Sequence, residues 1–371
     1  MAPLASRLFL VAALALALLP AFSAAAKARY TGVLSFGDSL ADTGNELART
    51  GGGAASVPPY GETFFGRPTG RSSDGRLVLD FIVAALGMSY PKPYFAGEAA
   101  ADFQRGVNFA FSGSTALGPE FFKSRGLTPF VPLSLANQTA WFKKVLQLAG
   151  SVHEQRKLTS KSLVMMGEIG INDYLVALMA KRTGEEVRTF VPHIVGAISS
   201  LLTEVIGAGA RTVVVRGMIP LGCQPIFLVL LEGTGADHGR ETGCLTWLND
   251  LAKLHNRALM RMVSDLRRAH PGRAILYADQ YSPVAAIVRS PRKYGFGDRP
   301  LVACCGGSGT YNFTLTTFCG VPGVAACADP SKYVSWDGIH MTDAANRNVA
   351  GAVLRSTILR QPLDKVELAS S

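Results

Sequence analysis

Three residues, one near the start of the chain and two near its end, have the types and surroundings needed for nucleophilic chemistry. The apolar run Gly32 to Phe36 leads into Gly37-Asp38-Ser39-Leu40, then Ala41-Asp42-Thr43-Gly44-Asn45. A serine just past a strand-ending glycine, at a helix start, projects its hydroxyl from a tight turn. Its own N–H then lies at the positive end of a helix dipole, where it can hold a developing oxyanion. The plain alternative for Ser39 is a turn or helix-capping serine. A serine nucleophile needs a base, and the chain has six histidines. Of these, only His340 follows a carboxylate by three residues, in Asp337-Gly338-Ile339-His340. At that spacing on a turn, Asp337 accepts from one ring nitrogen while the other faces a serine. His255 and His270 fall in an amphipathic segment and read as packed or solvated side chains.

Two further segments offer donors for a developing negative charge. Gly106-Val107-Asn108-Phe109-Ala110-Phe111-Ser112-Gly113-Ser114 carries backbone N–H groups unshielded by a Cβ. Gly170-Ile171-Asn172-Asp173 puts an amide just past a second apolar run, although Asn172 would serve equally well as a helix cap. The sequence has no G-x-S-x-G elbow, no P-loop and no H-E-x-x-H.

These residues need a scaffold that gathers them. Five short apolar runs read as buried strands: Gly32 to Phe36, Gly106 to Phe111, Ser162 to Met166, Thr212 to Arg216 and Ala274 to Ala278. They do not alternate with polar residues, which suits a parallel sheet covered on both faces. Amphipathic stretches at 186–206 and 247–270 lie between them and predict helices. The second ends in Arg267-Arg268 before Pro271-Gly272. Such a sheet presents ligands at the carboxyl ends of its strands, where the candidate residues fall. Gly/Pro-rich insertions interrupt the pattern at 48–75 and 281–335. No internal repeat or linker divides the chain, so the reading is one domain over 27–371.

Residues 1–26 read as targeting. Arg7 precedes the apolar run Leu8 to Pro20, and Ser23-Ala24-Ala25-Ala26 supplies the small-residue cleavage site. The rival reading is an uncleaved anchor over Leu8 to Ala26. No later stretch reads as long and apolar enough to span a membrane. Secretion reframes the cysteines, which number six. An even count in an oxidising compartment points to disulfides, with Cys223 and Cys244 a plausible pair. Cys304, Cys305, Cys319 and Cys327 form one local cross-linked loop, in which the adjacent Cys304 and Cys305 do not pair with each other. The sequons at Asn137 and Asn312 are candidate glycosylation sites. With 37 Lys and Arg against 27 Asp and Glu the net charge is +10. No basic run marks a nucleic-acid surface.

Taken together, the segments resemble the conserved blocks of the SGNH hydrolases, and specifically the plant GDSL esterase/lipase family. Phe36 to Leu40 with Asp42-Thr43-Gly44-Asn45 resembles the first block. Asn108-Phe109-Ala110 with Gly113 resembles the second, Gly170 to Asp173 the third, and Asp337 to His340 the last. The plant branch is suggested by Pro59-Tyr60-Gly61, Gly66-Arg67-Pro68-Thr69-Gly70-Arg71, Pro220-Leu221-Gly222-Cys223 and Cys304-Cys305-Gly306. The resemblance runs from about Ser35 to Asn346. It implies a flavodoxin-like three-layer α/β/α sandwich around a parallel sheet, and ester hydrolysis with no metal or organic cofactor. It implies Ser39 as nucleophile, His340 as base, Asp337 as its orienting acid, and Gly113 and Asn172 as oxyanion donors. Gly106 is the second candidate for the block-two glycine. Two positions depart from the pattern: Ile171, where a second glycine is common, and Met341, where proline is common. Both departures are expected to reshape the substrate pocket.

The implied partner is an ester: an acetylated wall polysaccharide such as xylan, a phenolic or other secondary-metabolite ester, or an acyl lipid. The implied protein is a monomer in the apoplast or cell wall, or alternatively in the lumen of the secretory pathway. An acyltransferase or lipase using the same three residues, and a non-catalytic carbohydrate-binding wall protein, are the competing readings.

Overall fold

In the computed structural model the described residues are 30–359, and the expected leader over 1–26 lies outside them. The strands are β1 (Gly32–Phe36), β2 (Lys92–Pro93), β3 (Gly106–Asn108), β4 (Ser162–Met166), β5 (Thr212–Arg216) and β6 (Ala274–Ala278). They form one sheet in the order β2-β3-β1-β4-β5-β6, with every pairing parallel. The register sets Leu34 of β1 against Val107 on one side and Val164 on the other. Leu34, Phe36, Val164, Met166, Val213 and Val215 point into one core. Their neighbours Val33, Leu163, Met165 and Val214 point into a second core on the opposite face. Burial on both faces is why these strands read as continuous apolar runs.

Helices supply the outer layers: α1 (Asn45–Thr50), α2 (Val78–Ala85), α3 (Leu135–Ala149), α4 (Ile171–Met179), α5 (Phe190–Gly207), α6 (Thr246–Ala269), α7 (Tyr281–Arg289) and α8 (Asp343–Val353). α3 to α6 cover the first face, and α2, α7 and α8 the second. This is the α/β/α sandwich expected from the sequence.

Three expectations are corrected in detail. The second strand stops at Asn108 rather than Phe111, because the Asn108 side chain turns the chain by accepting from Ala110 N–H. The helix expected over 186–206 is interrupted at Thr189. Pro192 lacks the N–H that would reach the Arg188 carbonyl, and its ring crowds that oxygen. Finally, the stretch Gly184–Gly207 is by length and composition apolar enough to cross a membrane. Its apolar side is used in the core, where Ile194, Ile198, Leu201, Leu202 and Val205 are buried.

The two long insertions meet each other. Ala55 and Tyr60 from the first pack with Trp336 and the cysteines of the second in a small third core. The disulfides are Cys223–Cys244, Cys304–Cys327 and Cys305–Cys319, so the adjacent cysteines reach different partners. Backbone bonds from Cys304 N–H to the Ser335 carbonyl (3.0 Å) and from Cys305 N–H to the Trp336 carbonyl (2.7 Å) tie this knot to the segment carrying Asp337.

Candidate active site

The turn carrying Ser39 is held from several sides. Gly37 has φ +146°, and a Cβ there would lie 3.0 Å from the Glu168 carbonyl oxygen. Gln138 grips the same glycine twice, accepting from its N–H (3.0 Å) and donating to its carbonyl (2.8 Å). Asp42 accepts from the N–H groups of Gly44, Asn45 and Ser112 at 2.6 to 2.9 Å. One buried carboxylate thereby locks the Ser39 loop to the loop carrying Gly113. The Asn45 amide adds bonds to the Asn108 and Ala110 carbonyls.

Across this turn lie Asp337 and His340. His340 Nε2 is 2.8 Å from Ser39 Oγ, and its Nδ1 is 2.7 Å from Asp337 Oδ2. The other carboxylate oxygen, Oδ1, accepts from the N–H groups of Ile339 (3.0 Å) and His340 (2.8 Å). Burial alone would push the imidazole pKa down. The Asp337 carboxylate, helped by Asp38 and Glu46, overcomes this and holds it above the ordinary 6.5. Burial likewise works to raise the Asp337 pKa, but His340 and the two N–H donors bring it below the ordinary carboxylate value.

Tyr60 is the residue whose part the sequence did not disclose. It is buried, and its hydroxyl donates to the same Asp337 Oδ2 that His340 uses, at 2.8 Å. Its ring meets Trp336 edge-on. Tyr60→Phe removes a donor that draws charge away from the Asp–His bond, so the imidazolium becomes more stable. The imidazole must be neutral to accept a proton, so activity is lost as pH falls through its pKa. The acid limb of kcat/KM follows the His340 pKa, which the Asp337 carboxylate already raises, and is therefore expected to move further up in this variant. kcat/KM at neutral pH falls about tenfold, the worth of one hydrogen bond to a charged group. A pH–rate profile checks this, and an unmoved acid limb reduces Tyr60 to packing.

Gly113 and Asn172 line the same cavity as Ser39 and His340. Gly113 takes φ +75°. Among the described residues, neither its N–H nor that of Ser39 donates to a protein acceptor. Asn172 is not a helix cap: Gly170 occupies that position, and Asn172 Nδ2 donates to the Ser114 carbonyl at 2.9 Å. One amide hydrogen is thus fixed, and the second is directed by it. Gly106 lies apart, because a Cβ on it would meet the Val33 carbonyl oxygen at 2.2 Å. Its role is the close approach of β3 to β1.

The two departures do not reshape the pocket. Ile171 is 4% exposed within the first core, and Met341 is 2% exposed within the second. Ile339 lines the cavity instead. His255 is a packed core residue whose Nδ1 lies 2.9 Å from the Tyr174 hydroxyl, and burial pushes its pKa down to about 3. Neither Asn137 nor Asn312 lines the cavity. Asn137 lies in the first turn of α3, where its Oδ1 accepts from Ser134 N–H. Asn312 has φ +50°, and its Nδ2 donates to the Ala303 carbonyl. Among the described residues, no group of three or more His, Cys, Asp or Glu is placed to hold a metal ion.

A hydroxyl bonded to a carboxylate-oriented imidazole, facing a cavity with free N–H donors, can attack an acyl carbon and hold the resulting oxyanion. Comparison with known proteins agrees with that chemistry. Residues 33–353 match the family described as GDSL-like lipase/acylhydrolase. A GDSL esterase/lipase of Arabidopsis thaliana is 43% identical over 92% of this chain and 88% of its own length. A second from the same plant is 44% identical over 90% and 86%. The sinapine esterase of Brassica napus is 43% identical over 88% and 85%. The chain belongs to the GDSL-like lipase/acylhydrolase family and is a carboxylic ester hydrolase.

Proposed function

We propose that the protein is a secreted hydrolase that cleaves small phenolic or short-acyl esters of plant secondary metabolites through an acyl-enzyme on Ser39. The observation that carries the reading is the unbroken hydrogen-bonded line from Asp337 through His340 to Ser39, at 2.7 and 2.8 Å. His340 takes the Ser39 proton as Oγ attacks the ester carbonyl. The oxyanion is held by the N–H groups of Ser39 and Gly113 and by the Asn172 amide. His340 then returns the proton to the leaving alcohol. Water, activated by the same imidazole, releases the acid.

The substrate class rests on the cavity. It measures about 340 Å³, near the lower end of small-molecule pockets, which run from roughly 300 to 1,000 Å³. Leu175, Ile226, Leu315 and Ile339 line it, and Phe130, Met179 and Phe318 stay exposed at its wall. Apolar walls favour an aromatic or short aliphatic group over an acetylated polysaccharide, whose hydroxyls need polar partners. The sinapine esterase among the relatives is consistent with a metabolite ester. Comparing kcat/KM on acetylated xylan, phenolic esters and p-nitrophenyl esters of rising chain length tests the reading. A preference for xylan overturns the substrate class.

The oxyanion assignment has its own test. Asn172→Ala is expected to lower kcat by about 10²–10³ with little change in KM. Unchanged kcat removes Asn172 from that role.

A further inference from the structure

A second set of ionisable groups is buried at the root of the Ser39 turn and takes no part in the acyl transfer just described. The register pairs Phe36 of β1 with Met166 of β4, so Asp38 and Glu168 each stand two residues past a matched pair. Asp38 N–H donates to the Glu168 carbonyl at 3.2 Å. The two residues are 0% and 1% exposed. Asp38 Oδ1 accepts from Leu40 N–H at 3.0 Å. Among the described residues, no donor meets Asp38 Oδ2 or either Glu168 oxygen in full hydrogen-bonding geometry. The Ile219 N–H is directed at the Glu168 carboxyl without closing such a bond. Arg216, the last residue of β5, is the buried cation nearby, and its Nε and Nη2 are engaged by Gln280 Oε1 at 2.9 and 2.6 Å. His340 and Asp173 also face Asp38, and Tyr277 faces Glu168.

We propose that Glu168 is a positioning residue for His340: its carboxyl keeps a proton and donates it to Asp38 Oδ2, which leaves Asp38 a fixed carboxylate within reach of the imidazole. The inference rests on the Ser39–His340 reading of the same site. Two buried carboxyls share one cation, so a proton on one of them costs less than a second buried negative charge. One O–H also satisfies two oxygens that otherwise lack a closed hydrogen bond. Asp38 is the better supplied of the two. Burial raises its pKa to about 7, held back by Leu40 N–H, His340 and Arg216. Burial, and then the Asp38 charge, raise that of Glu168 well above the ordinary range. A hydrogen bond from Glu168 favours the Asp38 carboxylate further. The Asp38 charge in turn favours the imidazolium that forms when His340 takes the Ser39 proton.

Infrared spectroscopy tests the proton directly. At neutral pH the wild type is expected to show the carbonyl band of a buried protonated carboxyl that Glu168→Gln lacks, since the amide donates where the O–H did. Asp173 is common to both proteins and cancels in the difference. The melting temperature supplies a second readout. With its pKa raised in the folded protein, Glu168 drains wild-type stability as pH rises above the ordinary 4.5, and glutamine is spared that loss. The melting temperature of Glu168→Gln relative to wild type should therefore climb between about pH 5 and pH 8. Asp38→Asn removes the fixed charge, so the acid limb of kcat/KM should move down by about one pH unit. Glu168→Gln should not lower it. The position of that limb does not depend on how much of a preparation is folded. A missing difference band, a relative melting temperature that fails to climb, or an acid limb that stays put in Asp38→Asn or falls as far in Glu168→Gln overturns the proposal. The first two readouts need no turnover, so they stand apart from the Ser39 assignment, which Ser39→Ala decides.

Discussion

Ser39→Ala is expected to lower kcat on a short p-nitrophenyl ester by about 10⁴-fold or more, with the fold intact. The contacts of the hydroxyl explain why the two effects separate. Its hydrogen bond is to His340 Nε2, and its other side faces the cavity. Removing it opens no hole in either core and strands no buried donor, since the imidazole can take water in its place. The turn keeps its fastenings through Gln138, Asp42 and Asn45, none of which touches the hydroxyl. Circular dichroism and a melting curve should match the wild type, and a fluorophosphonate probe should no longer label the chain. More than a tenth of wild-type turnover in the variant would refute the acyl-enzyme on Ser39.

Asp337→Asn is expected to cost nearly as much, about 10⁴-fold in kcat. The surroundings dictate the orientation of the new amide. Two backbone N–H groups donate to the Oδ1 position, from Ile339 and His340, so the amide oxygen must settle there. Its NH₂ then occupies the Oδ2 position and points a hydrogen at His340 Nδ1. The imidazole is forced into the tautomer with hydrogen on Nε2, which cannot accept the Ser39 proton. Tyr60 adapts, because its hydroxyl can accept from the NH₂ where it formerly donated. The variant should therefore melt close to the wild type while losing turnover. A loss of less than tenfold would mean that the acid does not set the tautomer.

What the sequence disclosed follows from how local each signal was. Four of the five apolar runs coincide with β1, β4, β5 and β6; every residue of β1, β4 and β5 is buried, and the edge strand β6 is buried at Ile275 and Ala278. β2 went unread because Lys92–Pro93 is two residues of half-exposed edge, with a proline that cannot donate to a ladder. Asp337 and His340 were legible as a pair because they lie three residues apart. Tyr60 was not, because its partner is 277 positions away and a tyrosine in a Pro/Gly-rich loop carries no periodicity. Gln138 stands in the sequence only as the middle residue of the Asn137 sequon, and nothing local announces its wholly buried amide around Gly37. Glu46 follows the ordinary preference for acids in a helix first turn, which hides its place in the cavity wall.

The cysteine knot under the His340 loop has a consequence for timing. The Ser39 turn is fastened by hydrogen bonds and packing alone, whereas the Asp337 segment hangs by Ser335 and Trp336 from backbone that Cys304–Cys327 and Cys305–Cys319 restrain. Closing loops of 23 and 14 residues removes about 3 kcal/mol each from the freedom of the unlinked chain. A chain whose thiols remain reduced is expected to keep a formed Ser39 turn but a loosened Asp337 and His340. Oxidation of these four cysteines is thus expected to raise activity without altering the Ser39 turn, which assays of the reduced and the oxidised protein check.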